Sequence, residues 1–233
     1  MLRFAALFMS LTLLVGAPVQ AQENPVVVEL FTSQGCSSCP PADALLHDLA
    51  ERDDVIALAL HVDYWDYIGW KDEFALPVHA QRQKAYAHVG GRRMIYTPQM
   101  VINGVNEVVG AKAMEIFDTI AAHKAQPALA NVSTALAEQQ LTIALAPAGA
   151  AVDGEFAVIV VRYSKEREVH IRRGENAGRH LKYVNVVSEW TIVDTWDGAT
   201  AIDLETEVSG DMETAVLVQQ IGPSRIIAAA RVN

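Results

Sequence analysis

The chain has 233 residues, of which 51% are hydrophobic and 20% charged, and a net charge of −10. That composition supplies a packed core and excludes a disordered chain. The acidity argues against nucleic acid as a partner, and two cysteines in the whole chain exclude a disulfide-rich scaffold.

The N-terminus opens on a short basic start, Met1-Leu2-Arg3. An apolar stretch from Phe4 to Gly16 and small residues ending at Ala21 follow. This is the layout of a secretory signal peptide over 1–21, and the alternative is an uncleaved anchor. The apolar part is short for a span of about 20 residues, and no later segment is long and apolar enough to cross a membrane. The mature chain is therefore expected in the periplasm or outside the cell, where disulfides persist.

Residues 26–31 form a strand-like apolar run. Cys36-Ser37-Ser38-Cys39-Pro40 comes next, then a helical stretch from Asp43. A cysteine pair between a buried strand and a helix start is a place where thiols become reactive, because the helix macrodipole favours thiolate. A loop this small adds little stability by closure, so the spacing favours a reactive pair over a structural staple. Pro40 and Pro41 fit the first helical turn.

Residues 55–62 read as a strand buried on both faces. His61 and Asp63 close it, and a buried Asp63 would act as the base that deprotonates Cys39; the bland alternative is a loop-ordering carboxylate. Tyr64, Trp65, Tyr67 and Trp70 then form an aromatic segment, either a substrate groove or a small satellite core. Residues 77–88 read as a helix ended by Gly90-Gly91. Arg82, Arg92 and Arg93 are either a basic rim for the thiols or a solvated face. Asn103-Gly104 joins short strands at 99–102 and 107–109 as a hairpin, and 111–124 is an amphipathic helix.

Gln126-Pro127 reads as a boundary. Beyond it come only strand signals, at 132–137, 141–146, 156–163, 168–172, 181–192, 201–207, 215–220 and 225–232. That pattern suggests a β-sandwich. The polar stretch 172–180, Arg172-Arg173-Gly174-Glu175-Asn176-Ala177-Gly178-Arg179-His180, is either a contact loop or a turn whose Gly and Asn serve the backbone.

The order β-α-β-α-β-β-α, the C-x-x-C after the first strand and Thr97-Pro98 before the hairpin strand together resemble the thioredoxin superfamily. More narrowly, residues 31–42, 61–66, 96–99 and 174–176 are similar to a family of secreted bacterial thioredoxin-like proteins with no assigned function. The resemblance spans nearly the whole mature chain and implies a thioredoxin-like α/β domain over 24–126, followed by an all-β sandwich-like domain over 127–233. It also implies Cys36 as attacking nucleophile, Cys39 as resolving thiol, and a cis Pro98 facing the pair, with Thr97 free to pair with an extended substrate. Ser37-Ser38 departs from the Gly-Pro of thioredoxin itself, which leaves the direction of electron flow open.

The expected function is an exported thiol–disulfide oxidoreductase acting on protein thiols, with a redox partner and no cofactor. Two alternatives stand beside it. One is a redox-inactive binding module with Cys36–Cys39 as a permanent bridge. The other is a copper-handling protein in which His47 or His61 joins the two cysteines. Covalent c-type haem is excluded at this motif, since Pro40 stands where histidine is required.

Overall fold

The computed structural model describes residues 24–232; the proposed signal peptide, 1–21, lies outside them. Strand β1 (Val26–Thr32) is buried along its whole length. So is β2 (Val55–His61), which runs parallel to it from Val26↔Val55 to Thr32↔His61. Unbroken apolar runs of this kind belong in strands covered on both faces. Their parallel pairing needs a crossover, and α1 (Pro40–Ala50) provides it. On its other side β1 pairs antiparallel with β3 (Gln99–Ile102), which turns back into β4 (Asn106–Val109). Asn103 and Gly104 take φ of 45° and 70° there, the left-handed pair that a tight hairpin demands. Helix α2 (Pro77–Val89) covers one face through Ala80 and Tyr86. Helices α1 and α3 (Ala113–Lys124) cover the other through Leu46, Leu49, Ile116 and Ile120.

The second half is all strand. β5 (Ala130–Ala137), β6 (Gln140–Pro147) and β9 (Ile202–Glu207) make a three-stranded antiparallel sheet. β7 (Phe156–His170) and β8 (His180–Trp196) are one long hairpin, extended by β10 (Glu213–Gln220) and β11 (Ile226–Val232). These four strands do not form a separate sandwich. β8 joins β2 in parallel, and the result is one eight-stranded mixed sheet in the order β11-β10-β7-β8-β2-β1-β3-β4. The small sheet packs on the β7, β10 and β11 end of it, with Val132, Leu141 and Ile143 against Val158, Val160 and Val216.

The expectation of a helix-flanked thioredoxin-like α/β domain followed by an all-β sandwich-like domain is therefore corrected. The protein is mostly β, built on a sheet that passes through both halves of the chain. The physical reason is the seam. Apolar periodicity shows that a segment is a strand but not which strand it pairs with. Here the join is a single register position, Ala59↔Val186. Beside it Asn185, with φ of 47°, turns its side chain to donate from Nδ2 to the Ala57 carbonyl at 2.8 Å.

A buried polar cluster also ties the halves. Arg82 Nε and Nη2 donate to the two carboxylate oxygens of Glu29 at 2.6 and 3.0 Å. Tyr86 Oη donates to Glu29 at 2.5 Å and accepts from Gln219 Nε2 at 2.8 Å. The Arg82 guanidinium lies 3.8 Å from the ring centroid of Trp190. Glu29 sits inside a strand that reads as purely apolar on either side, so its partners have to come from elsewhere in the fold.

Candidate functional site: the Cys36–Cys39 loop

Cys36 and Cys39 are disulfide-bonded in the loop between β1 and α1. The loop is wound by backbone bonds from Cys36 N to Ser33 O at 3.1 Å and from Cys39 N to Cys36 O at 3.3 Å. Cys39 caps α1, and its carbonyl receives the N–H groups of Ala42 and Asp43. Pro40 and Pro41 remove two N–H donors from the helix start. Ser38 Oγ lies 3.4 Å from Cys36 Sγ and can donate to a thiolate. Both cysteines are buried, at 2% and 0% exposure, while Ser37 and Ser38 between them are open to solvent.

Beneath the loop lies a group of buried ionisable side chains. Asp43 is one helical turn beyond Cys39, and residues four apart share a helix face. Thr32 Oγ1 donates to Asp43 Oδ1 at 2.7 Å; Asp43 Oδ2 has no hydrogen-bond partner. Burial pushes the Asp43 carboxyl up to about 7, against the pull of His61 and the Thr32 hydroxyl. His61 Nδ1 sits 2.7 Å from Asp72 Oδ2. A carboxylate only accepts, so Nδ1 carries the proton and Nε2 is left unpartnered. Burial alone would raise Asp72. His61, with the N–H groups of Gln34 and Phe74, outweighs it and holds the carboxyl below the usual range. Gln34 N donates to the same Asp72 oxygen at 2.8 Å, so the dyad is fastened to the cysteine loop. Tyr183 stands edge-on to His61, 4.7 Å between centroids, with its hydroxyl unpartnered and its pKa raised by burial.

Two further elements close around the loop. From the β7–β8 tip, buried Asn176 donates through Nδ2 to the carbonyls of Gln34 and Cys36, both at 2.9 Å. On the opposite side of the chain order, Thr97-Pro98 is cis, and Thr97 Oγ1 accepts from Trp65 Nε1 at 2.8 Å. Gly110 lets the Pro98 segment reach α1. A Cβ there would meet Pro98 Cβ at 2.9 Å and Ala42 Cβ at 3.0 Å. Trp65 also backs Gly35, where a Cβ would lie 3.1 Å from its own.

The named residues separate accordingly. Cys36, Cys39, Thr97 and Pro98 lie on the loops gathered at this end of the sheet. Asp63 is half-buried and its carboxylate has no hydrogen-bond partner among the described residues; the buried acids at the loop are Asp43 and Asp72. The aromatic segment splits its roles. Trp70 joins a small cluster with Phe74, Ile171 and Tyr183, and its Nε1 donates to Gln34 Oε1 at 2.7 Å. Tyr67 is 80% exposed and stacks on Trp65. Arg82 is not on a rim but inside the Glu29 cluster, Arg92 pairs with Glu107, and Arg93 is exposed. His47 is partly exposed on α1. No three His, Cys, Asp or Glu side chains converge to hold a metal among the described residues. Sequence reasoning missed Asp43, Asp72 and Gly110, and it left 172–180, with Asn176, open between a contact loop and a backbone turn; Asn176 makes the contact. Of the missed residues only Asp43 carried a local signal, its four-residue spacing from Cys39.

A family model described as a protein of unknown function (DUF1223) matches residues 27–219. Among solved structures, the chain is similar to a protein of Agrobacterium tumefaciens, at 34% identity and a TM-score of 0.78. That match covers 91% of this chain and 95% of the other. It is also similar in fold to HBP35 of Porphyromonas gingivalis, at 14% identity and a TM-score of 0.59, over 90% of this chain and 74% of that one. No curated protein matches.

Proposed function

The chain belongs to the DUF1223 family, and we propose that it is an exported thiol–disulfide oxidoreductase that exchanges Cys36–Cys39 with protein thiols, in the manner of the thioredoxin superfamily. One observation carries this reading. A closed C-x-x-C disulfide stands at a helix start with a buried carboxyl, Asp43, one turn away and half-protonated near neutral pH. A group titrating near the working pH is suited to move protons in either direction.

The exchange balances as follows. A substrate thiolate attacks Cys36 Sγ. The Cys36–Cys39 bond breaks, its electron pair goes to Cys39 Sγ, and protonated Asp43 supplies the proton. A second substrate thiolate then attacks the substrate sulfur of the mixed disulfide. The substrate leaves oxidised, and Cys36 leaves as a thiolate that Ser38 can stabilise. In reverse, ionised Asp43 takes the proton from Cys39 so that it can resolve the mixed disulfide.

A second reading, the binding module with a permanent bridge, is favoured by the near-complete burial of both cysteines. The reduction potential separates the two. A value between about −120 and −270 mV places the pair among catalytic exchangers, and one below about −300 mV marks a structural bridge and ends the oxidoreductase reading. In the same assay Cys36→Ser is expected to abolish exchange, and Cys39→Ser to accumulate mixed disulfides visible by mass. Retained turnover in the Cys36→Ser protein would overturn the mechanism.

A further inference from the structure

The protein is acidic, with a net charge of −10, yet the segment held against the disulfide loop is basic. The tip of the β7–β8 hairpin carries Arg172, Arg173 and Arg179 against one acid, Glu175, and all four side chains are exposed. None of the three arginines has an ion-pair partner among the described residues. Of the other basic groups near the tip and the Pro98 segment, Lys182 pairs with Glu166, His180 with Glu168 and Arg92 with Glu107, while exposed Arg93 has no ion pair among the described residues. On the neighbouring segment Asp72 is committed to His61 and Gln34, Asp66 accepts from Asp72 N, and exposed Lys71 and Glu73 offset each other in charge.

The tip is also fixed in place. Ile171 N bonds to Arg179 O at 2.9 Å, Gly178 N to Ile171 O at 2.8 Å and Arg179 N to Asn176 O at 3.1 Å, which closes it into a compact turn. Gly174, with φ of +79°, brings the backbone against Trp70; a Cβ there would lie 3.3 Å from the tryptophan Cβ. Asn176 then pins the turn to the carbonyls of Gln34 and Cys36. Arg173 and Arg179 are each three residues from that anchor. At no more than roughly 3.6 Å of chain per residue, their backbones lie within about 11 Å of it. At low ionic strength, where the screening length is about 30 Å, charge that close to Asn176 reaches the loop it holds.

We propose that the β7–β8 tip is the docking rim of the disulfide and that it selects cysteine-bearing polypeptide segments of acidic character. The proposal rests on the exchange reading above. An overall acidic surface repels such segments, and the pinned arginines supply positive charge beside the place where a substrate thiolate must arrive. The chemistry is the same exchange: the peptide thiolate forms its bond to Cys36 Sγ, and the electron pair of the broken disulfide goes to Cys39.

The experiment compares two synthetic peptides that differ only in flanking residues, three Glu or three Lys around one Cys, reacting with the oxidised mature chain. At low ionic strength the acidic peptide is expected to form the mixed disulfide roughly 10-fold faster, a modest value for electrostatic steering. The ratio should fall toward unity at about 0.5 M salt. Arg172→Ala/Arg173→Ala/Arg179→Ala should collapse it, and Asn176→Ala, which releases the tip, should reduce it. Equal rates, a preference for the Lys peptide, or a ratio that survives the triple substitution would overturn the proposal. If neither peptide exchanges, the oxidoreductase reading fails instead. Anisotropy binding of the same peptides with Ser for Cys then decides the rim: tighter binding of the acidic peptide supports it, and equal binding ends it.

Discussion

Strand β1 carries a buried polar cluster on each of its faces, and the two are built differently. On one face Glu29, Arg82, Tyr86 and Gln219 hold one another in a closed set of hydrogen bonds. On the other, Asp43, His61 and Tyr183 lie close together with Asp43 Oδ2, His61 Nε2 and the Tyr183 hydroxyl all unpartnered. A satisfied buried network holds a structure in one arrangement, whereas unsatisfied groups make the fold less stable and are kept where chemistry needs them. The closed cluster joins β1, α2 and β10, which is a task of architecture. The open one sits under the disulfide, and its carboxyl titrates near neutrality.

The contrast can be broken first at Arg82. Arg82→Ala strands the Glu29 carboxylate in the core and is expected to destabilise the protein by about 3–5 kcal/mol. A loss below ~1 kcal/mol in chemical denaturation would mean that the closed cluster does not hold the halves together.

Next comes Asp43→Asn. The folded-state pKa of Asp43 is raised, from 3.8 to about 7. Its linked stability is therefore complete below pH ~4 and is lost as pH rises through about 7. The Asn variant lacks that loss. Relative to the parent it should gain stability between pH 4 and 7 and then level off, by roughly 4 kcal/mol at about 1.4 kcal/mol per tenfold change in proton affinity. Disulfide exchange should slow in the same variant. A flat stability difference across that pH range would remove Asp43 from the proton-moving role.

The smallest and sharpest test is one substitution made in both clusters. Tyr86→Phe removes a hydroxyl that bonds Glu29 and Gln219 and should cost about 1–3 kcal/mol. Tyr183→Phe removes an unpartnered one and should be neutral or slightly stabilising. Equal effects on the denaturation midpoint would erase the distinction between the two faces.

Much of the site could be read before any fold was known, because its signals are local. Cys36 and Cys39 are three positions apart, Pro40 and Pro41 mark a helix start, and Thr97-Pro98 directly precedes the hairpin strand. The buried acids at the loop were harder to read. Asp63 sits at the end of β2, where a functional carboxylate is expected, but burial is what raises a carboxyl's pKa. Burial is decided by packing, and packing encloses Asp43 and Asp72 instead. Asn176 lies 140 residues from Cys36, and nothing in a turn-forming Gly-Glu-Asn distinguishes a backbone role from a contact.

Most strand and helix positions, the Cys36–Cys39 pair and the tight turns followed from the sequence by itself, although 156–163 and 168–172, read as two strands, are parts of the one strand β7. Each depends on residues within a few positions of one another: apolar period, proline at a helix start, Asn-Gly at a hairpin. The partners were decided only by the tertiary structure. It chose β8 for β2, which turned two expected domains into one continuous sheet. It also brought Arg82 to Glu29 and Asn176 to the disulfide loop. Strand pairing and buried polar contacts are selected by long-range packing, and a strand edge or a lone carboxylate carries no local mark of the group that will satisfy it.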